Sequence, residues 1–270
     1  MFSSSCKPLT YTYILQRATK LMIGWTETGG RNSTGRITSY KKGPRKYNRI
    51  LRFIDFWRRL SADAFIVKFE RDAFRSSTLT LIFYQTGFLS YVILPDGYAV
   101  GDKLKLSTGL PSGESLPGYA NFVGNALPLG TISEGSFVFN IETWPYKGAQ
   151  ICRSAGTYAV LLSKRNGFVT LKLRSGWKFV VSADCYATLG VAPNYSHIYN
   201  VIRKAGTRVN KGRRPTVRGV AMNAIDHPHG GGRGKTSGGP QPRSPWGWIT
   251  KQRKTVNKKV RAAHLAKRFR

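Results

Sequence analysis

The sequence predicts a mainly β protein, with small antiparallel barrels in the middle of the chain and a cationic extension at each end. Seven short segments between residues 64 and 181 are rich in β-branched and aromatic residues and are separated by turn residues. No helical pattern of about 12 residues lies between them, which favours barrels over alternating strands and helices. The basic residues are concentrated outside this region.

The distribution of charge separates the ends of the chain from its middle. The 270 residues carry 44 Lys and Arg against 12 Asp and Glu, a formal net charge of +32. Residues 1–60 contribute +11, residues 61–200 contribute +3, and residues 201–270 contribute +18. So large an excess excludes an ordinary cytosolic metabolic enzyme, and 41% hydrophobic residues exclude a wholly disordered basic tail. The partner is therefore a nucleic acid or an anionic membrane, and the charge density favours the nucleic acid.

The first extension contains GGRNSTGRIT at residues 29–38. Its glycines let the backbone approach a partner closely, and we expect Arg31, Asn32 and Arg36 to contact RNA there. A simple linker is the alternative. The first 26 residues contain no acid and are rich in Ser, Thr and Tyr, which is typical of an import peptide and equally of an RNA-binding tail.

The middle region is predicted to consist of strands joined by tight turns. Turns are expected at Gln85-Thr86-Gly87, Pro95-Asp96-Gly97, Arg165-Asn166-Gly167 and Ser175-Gly176, and residues 110–128 are expected to join two barrels. The predicted strands are 64–69, 78–84, 89–94, 136–141, 157–163, 168–174 and 177–181.

One segment of this region also fits a membrane span. The 20 residues between Arg75 and Asp96 carry no charge, which is enough for a transmembrane helix. The turn signal at Gln85-Thr86-Gly87 lies at its centre and favours a β-hairpin instead. Residues 256–269 are compatible with a cationic helix whose apolar face is too poor for strong membrane insertion.

The second extension contains the most distinctive run, RRPTVRGVAMNAIDHPHGGG at residues 213–232. The chain remains rich in glycine, proline and basic residues as far as Gly247. Six glycines between residues 230 and 239 leave little side chain to pack, so the backbone is expected to lie open to phosphate or sugar and to be ordered by its surroundings. The arginines of this segment suit bidentate phosphate contacts. They are Arg213, Arg214, Arg218, Arg233 and Arg243.

Three other interpretations of the same segment are weaker. Gly234-Lys235-Thr236 resembles the end of a P-loop, but His229 stands where the first glycine is needed. His227 and His229 lack further ligands for a metal, and apart from Asp226 they lack the partners of an acid–base catalyst. We therefore expect the two imidazoles to stack on bases or to hydrogen-bond to ribose and phosphate. Three widely spaced cysteines (Cys6, Cys152 and Cys185) predict inert thiols.

The run at 213–232, followed by Pro245-Trp246-Gly247, resembles the signature of the universal family of large-subunit ribosomal protein L-two. The blocks at 29–38, RSAGTY at 153–158, LKLRSG at 171–176 and ADCYATLG at 183–190 match that family in order and spacing. The resemblance covers about residues 25–250.

The resemblance implies an OB-fold barrel followed by an SH3-like barrel, with long basic irregular extensions. The corresponding divisions are a basic tail at 1–34, an OB-like RNA-binding barrel at 35–122, an SH3-like barrel at 123–196 and a glycine-rich extension at 197–270. It implies a structural, non-enzymatic protein that binds large-subunit ribosomal RNA (rRNA) near the peptidyl transferase region and supports subunit association.

The resemblance also assigns residues. The histidine linked to peptidyl-transfer competence would be His229, with His227 and Asp226 beside it. RNA contacts of the barrel would fall on Arg153, Ser154, Gly156 and Thr157. Arg174, Asn223, Gly230, Gly231 and Gly232 lie in matching blocks and are expected to bind rRNA as well. Trp246 either stacks on a base or packs on its own chain.

The expected partners are large-subunit rRNA, neighbouring ribosomal proteins and the small subunit, without a membrane, small-molecule substrate, cofactor or metal. The divergent bacterial-type sequence and its many aromatics favour a mitochondrial ribosome, with another organellar or a bacterial cytoplasmic ribosome as the alternative. An RNA-acting enzyme that uses His227 and His229, and a cationic membrane-associated protein, are the competing functions.

Overall fold

The computed structural model describes residues 7–60, 62–104, 123–234 and 239–251. The chain divides into two compact units. The first unit contains the segment that ends at Trp25 together with Arg49–Val201, and therefore all seven predicted strands. The second unit consists of Thr26–Asn48 and the described residues from Ile202 to 251, so that parts of the two extensions fold together.

The first sheet of the first unit is antiparallel and has four strands in the order β5-β4-β3-β6. The segment that resembled a membrane span forms the β4–β5 hairpin, in which Thr80 pairs with Val92 and Gly87 takes a φ of +87° at the turn. The β-hairpin prediction is confirmed. The strands are β3 (Ala64–Arg71), β4 (Thr78–Tyr84), β5 (Leu89–Val92) and β6 (Lys103–Leu104).

The long uncharged run of this hairpin has a packing explanation. Leu79 and Leu81 of β4 point into one cluster of buried residues, and Ile82 and Tyr84 point into another. Because both faces of β4 are covered, the strand lacks the polar alternation of a half-exposed strand. Among the described residues, no helix is both long and apolar enough to cross a membrane.

A helix and a strand pair precede this sheet and were not predicted from the sequence. Helix α1 (Lys7–Ala18) is followed by a 3₁₀ turn (Thr19–Leu21) and by strand β1 (Met22–Trp25). Strand β1 pairs antiparallel with β2 (Arg49–Arg52). Ala18 is buried, and Ile14 packs partly against the same cluster, so this segment is part of the first barrel's core.

The second sheet has six strands in the order β13-β12-β11-β8-β14-β7. Asn166 and Gly167 both have positive φ, +49° and +74°, and they join β11 to β12 as the Asn-Gly pair predicts. The strands are β7 (Ala126–Pro128), β8 (Phe137–Phe139), β11 (Ala159–Arg165), β12 (Phe168–Leu173), β13 (Lys178–Ser182) and β14 (Tyr186–Leu189). Strands β9 (Ile141–Glu142) and β10 (Ala149–Ile151) form a separate pair.

Six of the seven predicted strands therefore occur close to their expected bounds, whereas the segment 136–141 is divided at Asn140 between β8 and β9. The mainly β, two-barrel fold class is confirmed. The two barrels share a cluster of buried residues, since Phe139 and Ala192 pack with Leu79 and Tyr91. The expected joint at 110–128 lies largely outside the described residues, and its last three residues form β7. A 3₁₀ helix (Tyr195–Tyr199) follows the second sheet.

The second unit has little regular structure. Its only described elements are helix α2 (Ala205–Asn210) and a 3₁₀ turn (Gly219–Ala221). Turns and isolated backbone bridges connect the rest, among them Lys42 to Arg213 and Arg243 to Ile249.

Candidate nucleic-acid interface

The second unit concentrates positive charge. Its described residues include six Lys and Arg in 26–48, eight in 202–234 and two in 239–251, against the two acids Glu27 and Asp226. Glu27 is already engaged in an ion pair with Arg45 at 2.8 Å. This surface attracts polyanions, because the protein's own acids leave almost all of its cations unneutralised.

The loop at 29–38 is built around one side chain. The Oδ1 of Asn32 accepts hydrogen bonds from the backbone N–H groups of Thr34 and Arg36 at 3.1 and 3.0 Å, and from the Thr34 hydroxyl at 2.8 Å. The Asn32 oxygen is therefore used inside the loop. Arg31 and Arg36 are exposed and carry its charge outward.

The two extensions meet at a short backbone ladder. The N–H of Gly43 donates to the carbonyl of Gly212 at 3.0 Å, and the N–H of Arg214 donates to that of Lys41 at 3.0 Å. A Cβ on Gly43 would lie 2.6 Å from Cγ of Arg214, so only glycine permits this approach. The ladder gathers four exposed cations that are far apart in sequence: Lys41, Lys42, Arg213 and Arg214.

The DHPHGGG segment folds on itself, which differs from the open backbone expected. His227 is 8% exposed, and its ring fills the space beside Gly219 that a Cβ would occupy. A Cβ on Gly230 would collide with the backbone carbonyl of Asn223, and a Cβ on Gly231 would lie 2.9 Å from the Cβ of Ala224. These glycines therefore permit close intramolecular packing. Gly232 and Arg233 remain exposed, as do Asn223 and Asp226.

The two histidines stack on each other, with ring centroids 5.2 Å apart and planes inclined by 25°. The Nδ1 of His227 accepts the backbone N–H of His229 at 3.0 Å, and the Nε2 of His229 accepts that of Arg243 at 2.8 Å. Each accepting nitrogen must be unprotonated to do so. The imidazole of His229 thus ties the glycine-rich segment to the turn that follows.

That turn presents an aromatic ring. The N–H of Ser244 donates to the carbonyl of Trp248, and the N–H of Thr250 donates to that of Pro242. Trp246 at the tip is 63% exposed and stacks on Tyr40, 62% exposed, at 6.4 Å between centroids. Trp246 therefore contacts its own chain and still keeps an open face. Tyr40 was missed by the sequence analysis, since no local pattern indicates a partner 206 residues away.

The barrel residues assigned by resemblance lie in the first unit. Gly156 is buried with a φ of +64°, and a Cβ there would lie 2.9 Å from the Tyr195 ring. Arg174 donates from Nη1 to the Gly156 carbonyl at 3.0 Å, and the Thr157 hydroxyl donates to the Ser154 carbonyl at 2.7 Å. These contacts fix the shape of the loop and leave the Ser154 side chain exposed.

Arg153 in the same loop lies in an unusual environment. Its guanidinium carbon is 4.9 Å from the centroid of the Phe56 ring, and that of Arg75 is 5.2 Å from the same ring. Burial lowers the pKa of Arg153, and the nearby charge of Arg75 lowers it further. An anion at this position would relieve the repulsion between the two guanidinium groups.

The described residues give no support to the P-loop and metal-site interpretations. Lys235 and Thr236 of the P-loop-like motif, Cys6 and the stretch 256–269 lie outside the described residues. Within the described residues, no group of three or more His, Cys, Asp or Glu side chains is arranged to hold a metal. Cys152 and Cys185 are free thiols, and burial raises the pKa of each to about 11. As the sequence predicts, they are poor nucleophiles at neutral pH.

Comparison with known proteins covers nearly the whole chain. Residues 18–105 match the family model of the ribosomal proteins L2, RNA binding N-terminal domain, and residues 122–247 match that of the ribosomal proteins L2, C-terminal domain. A large ribosomal subunit protein uL2 from Orientia tsutsugamushi is 44% identical over 250 residues, 92% of this chain and 88% of that protein. The uL2 protein of Rhodospirillum centenum is 43% identical over 92% of this chain and 87% of its own length. That of Bartonella quintana is also 43% identical, over 89% of this chain and 83% of its own length.

Proposed function

The chain belongs to the ribosomal protein L2 family, and we propose that the cationic surface of its second unit binds large-subunit rRNA. The protein is a structural constituent of the large ribosomal subunit and not an enzyme. The observation that carries the proposal is the meeting of Lys41, Lys42, Arg213 and Arg214 in a unit that holds only two acids. These cations are held close together, and the carboxylate of Glu27 beside Gly212 is already paired with Arg45, so a phosphate backbone would stabilise the arrangement.

The residues proposed for RNA binding fall into two groups, those whose side chains are exposed and those that hold the exposed groups in position. Arg31, Arg36, Arg218, Arg233 and Arg243 are exposed and suit phosphates, and the open face of Trp246 suits a base. Asn32, His227, Gly230 and Gly231 would act by holding these groups in position. In the first unit, Arg153 and Ser154 are the side chains available for RNA, while Gly156, Thr157 and Arg174 shape their loop.

The salt dependence of binding tests this function. The full chain is titrated with a large-subunit rRNA fragment at several salt concentrations, and Arg213→Ala/Arg214→Ala is compared with Arg165→Ala/Lys172→Ala, which removes two exposed cations of the barrel. Each lost phosphate contact should flatten the slope of log K against log salt by about 0.7 on single strands and about 0.9 on duplex. An unchanged slope in the first variant, or an equal change in both, would remove the assignment.

The finer placement of the protein is also a proposal. A position at the face toward the small subunit, near the peptidyl transferase region, follows from the family resemblance. Purified large subunits carrying Arg213→Ala/Arg214→Ala should then reassociate with small subunits less completely in a sucrose gradient. Normal reassociation with full occupancy of the variant protein would contradict that placement.

A mitochondrial ribosome is the compartment we favour. The acid-free first 26 residues and the aromatic-rich sequence support it. Since Ile14 and Ala18 pack in the first barrel's core, a removable import peptide would have to end before Ile14. Sedimentation of the tagged protein from fractionated cells tests this: comigration with large subunits outside the mitochondrial fraction would exclude the assignment.

A further inference from the structure

Besides the residues proposed above, the first unit carries three exposed aromatic side chains in two neighbouring segments. Trp57, Trp144 and Tyr146 are 54%, 53% and 73% exposed. Their two segments are joined directly, since the Nε1–H of Trp57 donates to the carbonyl of Tyr146 at 3.0 Å and the N–H of Ala149 donates to that of Phe56 at 3.0 Å. We refer to these three residues as the aromatic cluster.

A buried ion pair fixes the base of the aromatic cluster. The guanidinium carbon of Arg59 lies 4.0 Å from the ring centroids of both Tyr146 and Tyr186, and Nη2 of Arg59 is 2.9 Å from Oε2 of Glu142. Glu142 is fully buried and also accepts backbone N–H groups of Gly148 and Tyr186, at 3.1 and 3.0 Å. The guanidinium is therefore paired with a carboxylate and held between two rings.

This arrangement gives Tyr146 one covered face and one open face. A cation on one face of a ring draws electron density from it, so the outer face disfavours a second cation and favours an electron-rich π system. Tyr146 also has a φ of +64°, a conformation that is costly for a residue with a side chain. The strain is tolerated because the Trp57 hydrogen bond and the Arg59 contact hold the residue in place.

The charges around the cluster favour RNA over a protein as the occupant. Between residues 142 and 149 the only charged side chain besides the buried Glu142 is the exposed Lys147, next to Tyr146. A purine stacks on an open ring of this kind, and an adjacent cation fits the phosphate of the same nucleotide. From these contacts we propose that the aromatic cluster binds an unpaired base of RNA, with Tyr146 as the stacking platform and Lys147 at the phosphate.

The proposal rests on the RNA-binding function and adds to it a site that accepts only unpaired nucleotides. The test uses the full chain with two probes, a single-stranded oligoadenylate and an RNA duplex of equal length. Tyr146→Ser should weaken oligoadenylate binding about fivefold or more, the effect of losing one stacked base, and leave duplex binding unchanged. The salt slope should not change in Tyr146→Ser, because no phosphate contact is lost, and should flatten in Lys147→Ala.

Two variants serve as controls. Tyr146→Phe keeps the ring and should bind oligoadenylate like the unmodified protein. Phe168→Ser removes a ring that is 57% exposed elsewhere on the second sheet, and it should change neither affinity. Oligoadenylate binding that is unchanged in Tyr146→Ser, or lost equally from the duplex, would overturn the proposal.

The outcome is separable from that of the main function. If Arg213→Ala/Arg214→Ala flattens the salt slope while Tyr146→Ser has no effect, the cationic surface binds rRNA and the aromatic cluster does not bind a base. If Tyr146→Ser alone has an effect, the base site is supported and the assignment of the cationic surface fails.

Discussion

The two units of this chain are stabilised by different means. The first unit contains every buried hydrophobic residue of the described chain, and ten of the twelve acids. Among the described residues of the second unit, His227 is the only buried residue other than glycine, and many of the unit's backbone hydrogen bonds involve a glycine. Apolar burial is the dominant favourable contribution to folding, so the second unit lacks the means to offset its own charge repulsion. Its order should therefore depend on a polyanion.

The largest expected effect of a substitution follows from this contrast. Leu171→Ala removes a fully buried side chain from the core of the second sheet and should lower the free energy of unfolding by about 2–5 kcal/mol. Val217→Ala in the second unit shortens a side chain that is 59% exposed, and it should change the free energy of unfolding by less than about 0.5 kcal/mol. Urea unfolding followed by far-UV circular dichroism measures both. Equal losses would show that the second unit has an apolar core of its own.

Alkaline pH should destabilise the first unit next most strongly. Burial raises the pKa of Cys152 and Cys185 from an ordinary 9.0 to about 11, so between these values the unfolded chain ionises and the native chain does not. Stability should fall as pH rises through this range, by up to about 1.4 kcal/mol per pH unit for each thiol. Urea unfolding of Cys152→Ser/Cys185→Ala should show a shallower decline than the unmodified protein. The same decline in both would mean that these thiols do not cause it.

A glycine of the second unit should affect RNA binding without affecting the fold of the first. Gly230→Ala places a Cβ against the Asn223 carbonyl and should weaken rRNA binding about tenfold, equivalent to about 1.4 kcal/mol, while the unfolding of the first unit is unchanged. Gly206→Ala is the matched control, since no atom lies within 4 Å of its added Cβ and its φ is ordinary. Affinity is measured by fluorescence anisotropy. Equal affinities for the two variants would contradict the packing role of Gly230.

The difference between the two units also explains which parts of the structure could be predicted from the sequence. Strands such as β4 and β12 were predictable because their residues and bounding turns are local signals. The β1–β2 pair was missed, since its strands are short, partly charged and separated by the 29–38 loop. The glycines at 230 and 231 were expected to let a partner approach the backbone, but the atoms that lie against them are the chain's own, the Asn223 carbonyl and the Ala224 Cβ, which only the folded structure reveals. The Lys42–Arg213 bridge and the Tyr40–Trp246 stack join residues far apart in sequence and have no local signature.

The domain divisions at 34, 122 and 196 remain predictions. The structure groups residues 26–48 with the C-terminal extension, and the two barrels share the cluster around Phe139. Pairing between the extensions explains why a division along the sequence does not coincide with a division in space.

The smallest expected effect is that of substituting His229. It tests whether this side chain holds the neighbouring turn in position. Its Nε2 accepts the N–H of Arg243, so His229→Ala should remove one hydrogen bond, a net contribution of about 1 kcal/mol, and accelerate hydrogen exchange of the Arg243 amide about fivefold in the rRNA-bound protein. His229→Gln retains an acceptor and should restore part of the protection. His197→Ala, at an exposed histidine of the first unit, should leave the Arg243 amide unchanged. If His229→Ala also leaves it unchanged, the imidazole does not hold the Trp246 turn. If protection is lost and glutamine restores it, His229 holds the turn that presents Trp246.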